Sequence, residues 1–257
     1  MQSSPSTSAA AAGHAEKDLL HHVGRAIADF DLIGEGDKIM VAMSGGKDSY
    51  ALLLLLEAMR RRAPVRFELI AVHLDQGQPG HDPGPLVAWL TAHGFDHHIA
   101  REDTYAIVKQ TLRPEQTPCS LCARLRRAVL YRVASQLGCT KIALGHHRDD
   151  ALETLLLNLF FGGKLASMPA RLTSDDGAHV VIRPLIYCAE PALAEFAAKA
   201  KVPILPCNLC GSQPNAQRRQ MKALLDDLES RHPDLRQTML AALGNIHPSH
   251  LLSRKSD

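Results

Sequence analysis

Apolar residues along the chain fall into short unbroken runs, which alternate with longer stretches of helical spacing. Residues 38–43, 67–74 and 141–144 are runs of the first kind, bounded by charge, glycine or turn residues, and predict strands buried on both faces. A weaker strand is expected at 96–100 and a short one at 180–182. Helical spacing covers about 16–30, where Leu19, Leu20, Val23, Ile27 and Phe30 share a face, and then 49–59, 86–93, 120–137 and 151–160. In 120–137 the buried stripe is Leu121, Leu125, Val129 and Val133. Strand and helix in alternation predict an α/β fold: a doubly wound parallel sheet with helices on both faces. Past Gly162 and Gly163 the pattern changes, and helices near 191–200, 216–228 and 233–243 make a helical C-terminal extension. The expected organisation is a disordered tail to residue 15, a nucleotide-type domain over 16–185, the extension over 186–250 and a tail over 251–257.

Sheets of this kind bind ligands outside the carboxyl ends of their strands, near the point where strand order reverses. Three polar segments fall at predicted strand ends. The first is Ser44-Gly45-Gly46-Lys47-Asp48-Ser49. Its glycines allow a tight turn and close approach of backbone to a ligand. The helix that follows offers free N–H groups and a positive dipole end to an anion, and Lys47 adds a point charge. It is not the Walker A spacing. The second segment begins at Asp75, a residue suited to a ribose, to magnesium or simply to a turn. The third is Gly145-His146-His147-Arg148-Asp149-Asp150. Asp149 and Asp150 form a carboxylate pair that can hold Mg²⁺, or one of them can cap the next helix. The histidines suit phosphate or substrate contacts better than zinc, since neighbours on a turn point apart.

Composition narrows the setting. At 257 residues with 46% hydrophobic and 22% charged side chains, the chain has ordinary globular composition. A net charge of +2 means that any nucleic-acid surface must come from local clusters. No apolar stretch approaches the roughly 20 residues of a membrane span, and the Ser- and Ala-rich start lacks a basic region and an apolar core. A cytoplasmic protein with no membrane contact is expected.

Four of the six cysteines form C-x-x-C pairs, which fits a reduced compartment and a metal better than a disulfide scaffold. Cys119 and Cys122 open the 120–137 helix, where the helix end and Arg124, Arg126 and Arg127 favour thiolates. Those arginines lie off the apolar stripe and suit phosphate, from ATP or an RNA backbone. Cys207 and Cys210 make the second pair. A four-Cys zinc site and an iron–sulfur cluster both remain open on spacing. Cys139 and Cys188 read as core or bystander thiols.

The segment Ser44 to Ser49 resembles the PP-loop of the N-type ATP pyrophosphatases. With the stretches Pro118–Arg127, Ala143–Asp150 and Pro206–Asn215 it closely resembles the TtcA family of tRNA-cytidine 2-sulfurtransferases, over about residues 16–250. The resemblance implies a PP-loop ATP pyrophosphatase (adenine nucleotide alpha hydrolase-like) fold. It implies ATP-dependent thiolation of tRNA at C2 of cytidine 32, with AMP transferred to the C2 oxygen before sulfur replaces it. Implied cofactors are ATP, Mg²⁺ and a [4Fe-4S] cluster held by Cys119, Cys122 and Cys210, with Cys207 a non-ligand. A homodimer, a tRNA substrate and a cysteine desulfurase as sulfur source are implied as well.

By motif position the nucleotide would meet Ser44, Gly45, Gly46, Lys47, Asp48, Ser49, Asp75, Gly145 and His146. Lys47, Asp48 and Asp150 would join the three cysteines in catalysis. RNA-binding candidates are Arg124, Arg126, Arg127, Arg218 and Arg219. Tyr50, Tyr105, Phe160 and Phe161 are candidate platforms for an unstacked base. A 2-thiouridine synthetase is the nearest rival. A lysidine synthetase would lack the cysteine pairs, and a zinc-stabilised RNA-binding protein without catalysis would not need Lys47 or the acidic pair.

Overall fold

Asp37–Met43 (β1) occupies the centre of the sheet because both of its faces are apolar: Ile39, Met40, Val41 and Met43 are all buried. The computed structural model describes residues 6–111, 119–174, 177–206 and 215–252, without the side chains of 6–14, 119–120 and 215–216. Helix α1 (Ser6–Asp29) precedes β1, and α2 (Lys47–Arg60) follows it. Where a tail was expected up to residue 15, α1 already begins at Ser6, in keeping with the high helix propensity of its alanine run.

Phe67–Asp75 (β2) pairs with β1 in parallel, and after α3 (Gly84–Ala92) the strand His97–Arg101 (β3) pairs with β2. Helices α4 (Thr104–Thr111) and α5 (Cys119–Gln136) then return the chain across the sheet to Lys141–Ala143 (β4), on the other side of β1. Val180–Ile182 (β6) extends the sheet in parallel, and Arg171–Thr173 (β5) closes that edge antiparallel. The order β3-β2-β1-β4-β6-β5 reverses direction between β1 and β4. That is where a doubly wound sheet opens its ligand crevice.

Val129 and Val133 of the predicted α5 stripe are buried, whereas Leu121 and Leu125 are only half-buried. On one face Val129, Val133 and Ala134 of α5 pack against Met40, Val72, Leu74, Ile142 and Val181. Alternate strand residues point the other way. Helix α2 buries Ala51, Leu52, Leu55 and Leu56, and it packs with α1 and with α7 (Glu190–Lys199). Among the described residues, the elements not expected from the sequence are α4, β5 and a single 3-10 turn at Pro248–His250. Helix α4 is short, and its start is marked by Asp103, whose Oδ1 accepts from Ala106 N at 2.9 Å, a capping signal. Strand β5 is exposed at all of its residues, so no apolar pattern marks it.

By packing, the described residues form two units. One contains residues 1–147 and 169–214, with the whole sheet; the other contains 148–168 and 215–257. The second unit joins α6 (Arg148–Phe161) to α8 (Asn215–Arg231) and α9 (Leu235–Gly244). The helices expected near 216–228 and 233–243 therefore pack with α6, while α7 belongs with α2. At the heart of the second unit the buried Arg236 of α9 meets Asp149 of α6 at 2.6 Å and Glu229 of α8 at 2.7 Å, and also bonds Asp226.

Candidate active site

The turn after β1 takes its shape from Gly45, whose φ of +80° lies in the left-handed region. A Cβ there would stand 2.8 Å from Leu205 Cβ, and Leu205 N donates to the Gly45 carbonyl at 2.9 Å. The loop is thus pinned from residue 205, two positions before the second cysteine pair. Gly45→Ala combines a disfavoured φ with a collision against a side chain that cannot retreat at its Cβ. It is expected to destabilise the sheet unit by about 2 to 4 kcal/mol, read as a lowered denaturant midpoint, and to weaken ATP binding.

The serines hold this turn from inside. Ser44 Oγ accepts from Gly46 N at 3.2 Å, and Ser49 Oγ donates to Gly46 O at 2.8 Å. Both serines were expected to meet the nucleotide by motif position; here their hydroxyls bond within the loop. Gly46 supplies no side-chain cap to α2, so the first N–H groups of that helix lie where an anion would find them.

Lys47 Nζ lies 3.0 Å from Asp48 Oδ2 and 3.1 Å from Oε1 of Glu190, at the start of α7. Burial alone would lower the Lys47 pKa, but the two carboxylates outweigh it and raise it above the ordinary value, so the ammonium stays charged. Glu190 was not foreseen, because its place beside Lys47 depends on α7 packing against α2. Asp48 Oδ1 is buried and has no hydrogen-bond partner among the described residues. His147 Nε2 stands 4.0 Å from Asp48 Oδ2. A Cβ on Gly145 would come within 3.2 Å of the Asp48 carbonyl, so the end of β4 presses closely on the first turn of α2.

At the end of β2, Asp75 Oδ1 accepts from Gly77 N at 3.0 Å, the turn reading of that residue. Gln76 reaches towards α5, where Cys122 Sγ lies 3.5 Å from Gln76 Oε1, which also accepts from Thr104 Oγ1 at 3.2 Å. Cys122 therefore sits at the carboxyl end of the sheet, the end from which the Ser44–Ser49 turn leaves. The side chain of Cys119, and Cys207 and Cys210 altogether, lie outside the described residues. No group of three metal-ligating side chains occurs among the described residues. Cys139 is half-buried and Cys188 buried, as expected of core thiols.

His73 braces the same end. Its Nδ1 donates to Met43 O, just before the turn, at 2.8 Å, and its Nε2 meets Nε2 of His81 at 2.9 Å. Burial lowers the His73 pKa below its ordinary 6.5. A depressed folded-state value means that stability is complete above that ordinary value and is lost as pH falls below it. Denaturant midpoints should fall as pH drops below about 6.5, and His73→Gln should flatten that decline.

At the end of β4, His146 Nδ1 accepts from Arg183 Nε at 3.2 Å. In the second unit Asp149 is buried and bonded by Arg236 at 2.6 Å and Arg148 at 3.3 Å. Asp150 meets Arg218 at 3.1 Å, and Arg218 lies 3.6 Å from Glu153 as well. These carboxylates, suggested as magnesium ligands, thus face guanidinium groups, and Arg218, suggested for RNA, is engaged with them. Arg124, Arg126, Arg127 and Arg219 are exposed.

Tyr50 is not a base platform: it is fully buried, donates to Pro203 O at 2.8 Å, and burial pushes its phenol up to about 12. Tyr105 is half-buried under Lys109, whereas Phe160 and Phe161 are exposed in the second unit.

Known proteins resemble this chain along nearly its whole length. The PP-loop domain family matches residues 17–205. The tRNA-cytidine(32) 2-sulfurtransferase of Sorangium cellulosum is 59% identical over 91% of this chain and 83% of its own. That of Verminephrobacter eiseniae is 58% identical over 93% and 76%. Among solved structures, the U34-tRNA thiolase NcsA from Methanococcus maripaludis with its [4Fe-4S] cluster superposes with a TM-score of 0.73. It covers 92% of this chain and 80% of its own, at 23% identity, a likeness of fold. With the PP-loop geometry in place and more than half of all positions shared with these relatives, the chain belongs to the tRNA-cytidine(32) 2-sulfurtransferase family of PP-loop proteins.

Proposed function

We propose that this chain is the enzyme that forms 2-thiocytidine at position 32 of tRNA, using ATP to activate the C2 oxygen and then replacing it with sulfur. The observation that carries the reading is the placement of Cys122 beside Gln76 at the sheet end that also bears the Ser44–Ser49 turn. A carbonyl oxygen is a poor leaving group, and an adenylate is a good one. The open first turn of α2 receives the phosphates of ATP, and Lys47 offsets the charge that develops as pyrophosphate departs. To do so it must exchange Asp48 and Glu190 for phosphate oxygens.

Thiolates are the donor set that iron–sulfur clusters take, and the half-buried Cys122 fits that role. A [4Fe-4S] cluster held by Cys119, Cys122 and Cys210 would supply a Lewis-acidic iron for the incoming sulfur. Asp48 Oδ1, buried and without a hydrogen-bond partner among the described residues, is the oxygen that a magnesium ion on ATP would take. Asp149 and Asp150 would act after shedding an arginine. The exposed Arg124, Arg126 and Arg127 suit the anticodon-loop backbone. A homodimer, a cysteine desulfurase donor and a cytoplasmic location belong to the same reading. Nucleoside analysis of tRNA from a strain lacking the protein tests it: 2-thiocytidine should vanish and return on complementation. Loss of 2-thiouridine instead would favour the rival thiolase.

A further inference from the structure

We infer that Gln76, which no sequence motif singled out, is a positioning residue for Cys122: its carboxamide accepts from the free thiol and, by turning over, donates an N–H to the same sulfur once that sulfur is a cluster thiolate. The inference rests on the iron–sulfur reading above. Both ends of Gln76 are fixed by the segment that joins β3 to α4. Its carbonyl accepts from Tyr105 N at 3.1 Å, and its Oε1 accepts from Thr104 Oγ1 at 3.2 Å. Thr104 is 3% exposed, so that hydroxyl is held away from solvent. The two segments also touch directly. Glu102 N donates to Asp75 O at 3.0 Å, and a Cβ on Gly77 would stand 2.9 Å from Asp103 Oδ1. On this mount Oε1 lies 3.5 Å from Cys122 Sγ.

A thiol has a proton to give to Oε1, but a thiolate on iron has none and only accepts. An oxygen held against it would repel it. The terminal torsion of a glutamine is broad and two-fold, so half a turn exchanges Oε1 for Nε2 at little cost. The amino group carries two hydrogens, one for Cys122 Sγ and one for Thr104 Oγ1, and a hydroxyl that donated can accept instead. A carboxylate would match the thiol alone, and an apolar side chain would match neither state. Hydrogen bonds to a ligand sulfur raise a cluster's reduction potential and hold the ligand in place.

The test uses the full chain purified anaerobically, and needs no tRNA. Gln76→Met should hold iron roughly tenfold less tightly than wild type in competition with a ferrous chelator, the low end for outer partners of metal ligands. Its reduction potential should also fall, and that of Gln76→Glu, which adds a negative charge, should fall further. Thr104→Val should reproduce part of both effects, and Thr104→Ser should restore the wild-type values. Combining Gln76→Met with Thr104→Val should add nothing to Gln76→Met alone, as for two residues acting through one contact. A wild-type potential and wild-type iron retention in Gln76→Met overturn the inference. Should Gln76→Met assemble no cluster, the Thr104 pair decides: equal potentials in Thr104→Val and Thr104→Ser overturn it. If Cys122→Ala keeps its full iron, the cluster reading itself has failed. Loss of iron in Cys122→Ala beside an unaltered Gln76→Met removes the Gln76 role alone.

Discussion

Lys47→Ala is expected to reduce ATP-dependent pyrophosphate release by about 10²- to 10³-fold, the scale of losing one preorganised charge at a reacting phosphate. The ammonium is half-buried and kept charged by Asp48 and Glu190, so the wild-type group is ready at every pH in the enzyme's range. Removing it deletes the cation that those carboxylates share, and folding stability must be measured alongside. Lys47→Arg serves as the companion variant. It keeps the charge but replaces a compact ammonium with a planar fork, so it should fold normally and still lose most turnover. Iron content and cluster absorbance should be unchanged in both. Full pyrophosphate release from a folded Lys47→Ala protein would remove the PP-loop from the chemistry.

Cys122→Ala is the complementary result: thiolation should fall below detection and the protein should purify without iron, while ATP binding persists. The thiol is half-buried in the first turn of α5 and is not part of the core cluster that contains Val129 and Val133, so the stability cost should be about 1 kcal/mol or less. Anaerobic iron analysis, the visible spectrum and tRNA nucleoside mapping together read this out. Cys139→Ala is the control. Burial holds that thiol's pKa above its ordinary value in spite of Lys38, and its substitution should leave iron and thiolation as they were. Thiolation that survives in Cys122→Ala would mean that sulfur reaches cytidine by another route.

The layered sheet was legible because its central strands are buried on both faces and therefore read as continuous apolar runs. The turn after β1 was legible because glycine, lysine and a following helix are adjacent in sequence. What escaped were partners brought together by packing. Glu190 and Arg183 lie more than thirty residues from the side chains they touch, and neither position carries a local pattern. The partner of Asp149 was hidden for the same reason: Arg236, on a helix much later in the chain, bonds it. Tyr50, a candidate base platform by residue type alone, instead packs its ring edge-on against Trp89 and donates from its hydroxyl to the Pro203 carbonyl.

The bond from Leu205 to Gly45 has a consequence for how the protein is made. A ribosome synthesises the glycine turn early, but the residue that braces it emerges only after about 160 more have been added. A growing chain thus carries the Gly45 turn unbraced through most of translation. The same long closure places the bracing residue two positions before Cys207, so the turn proposed to take the nucleotide and the second cysteine pair are completed within a few codons of each other.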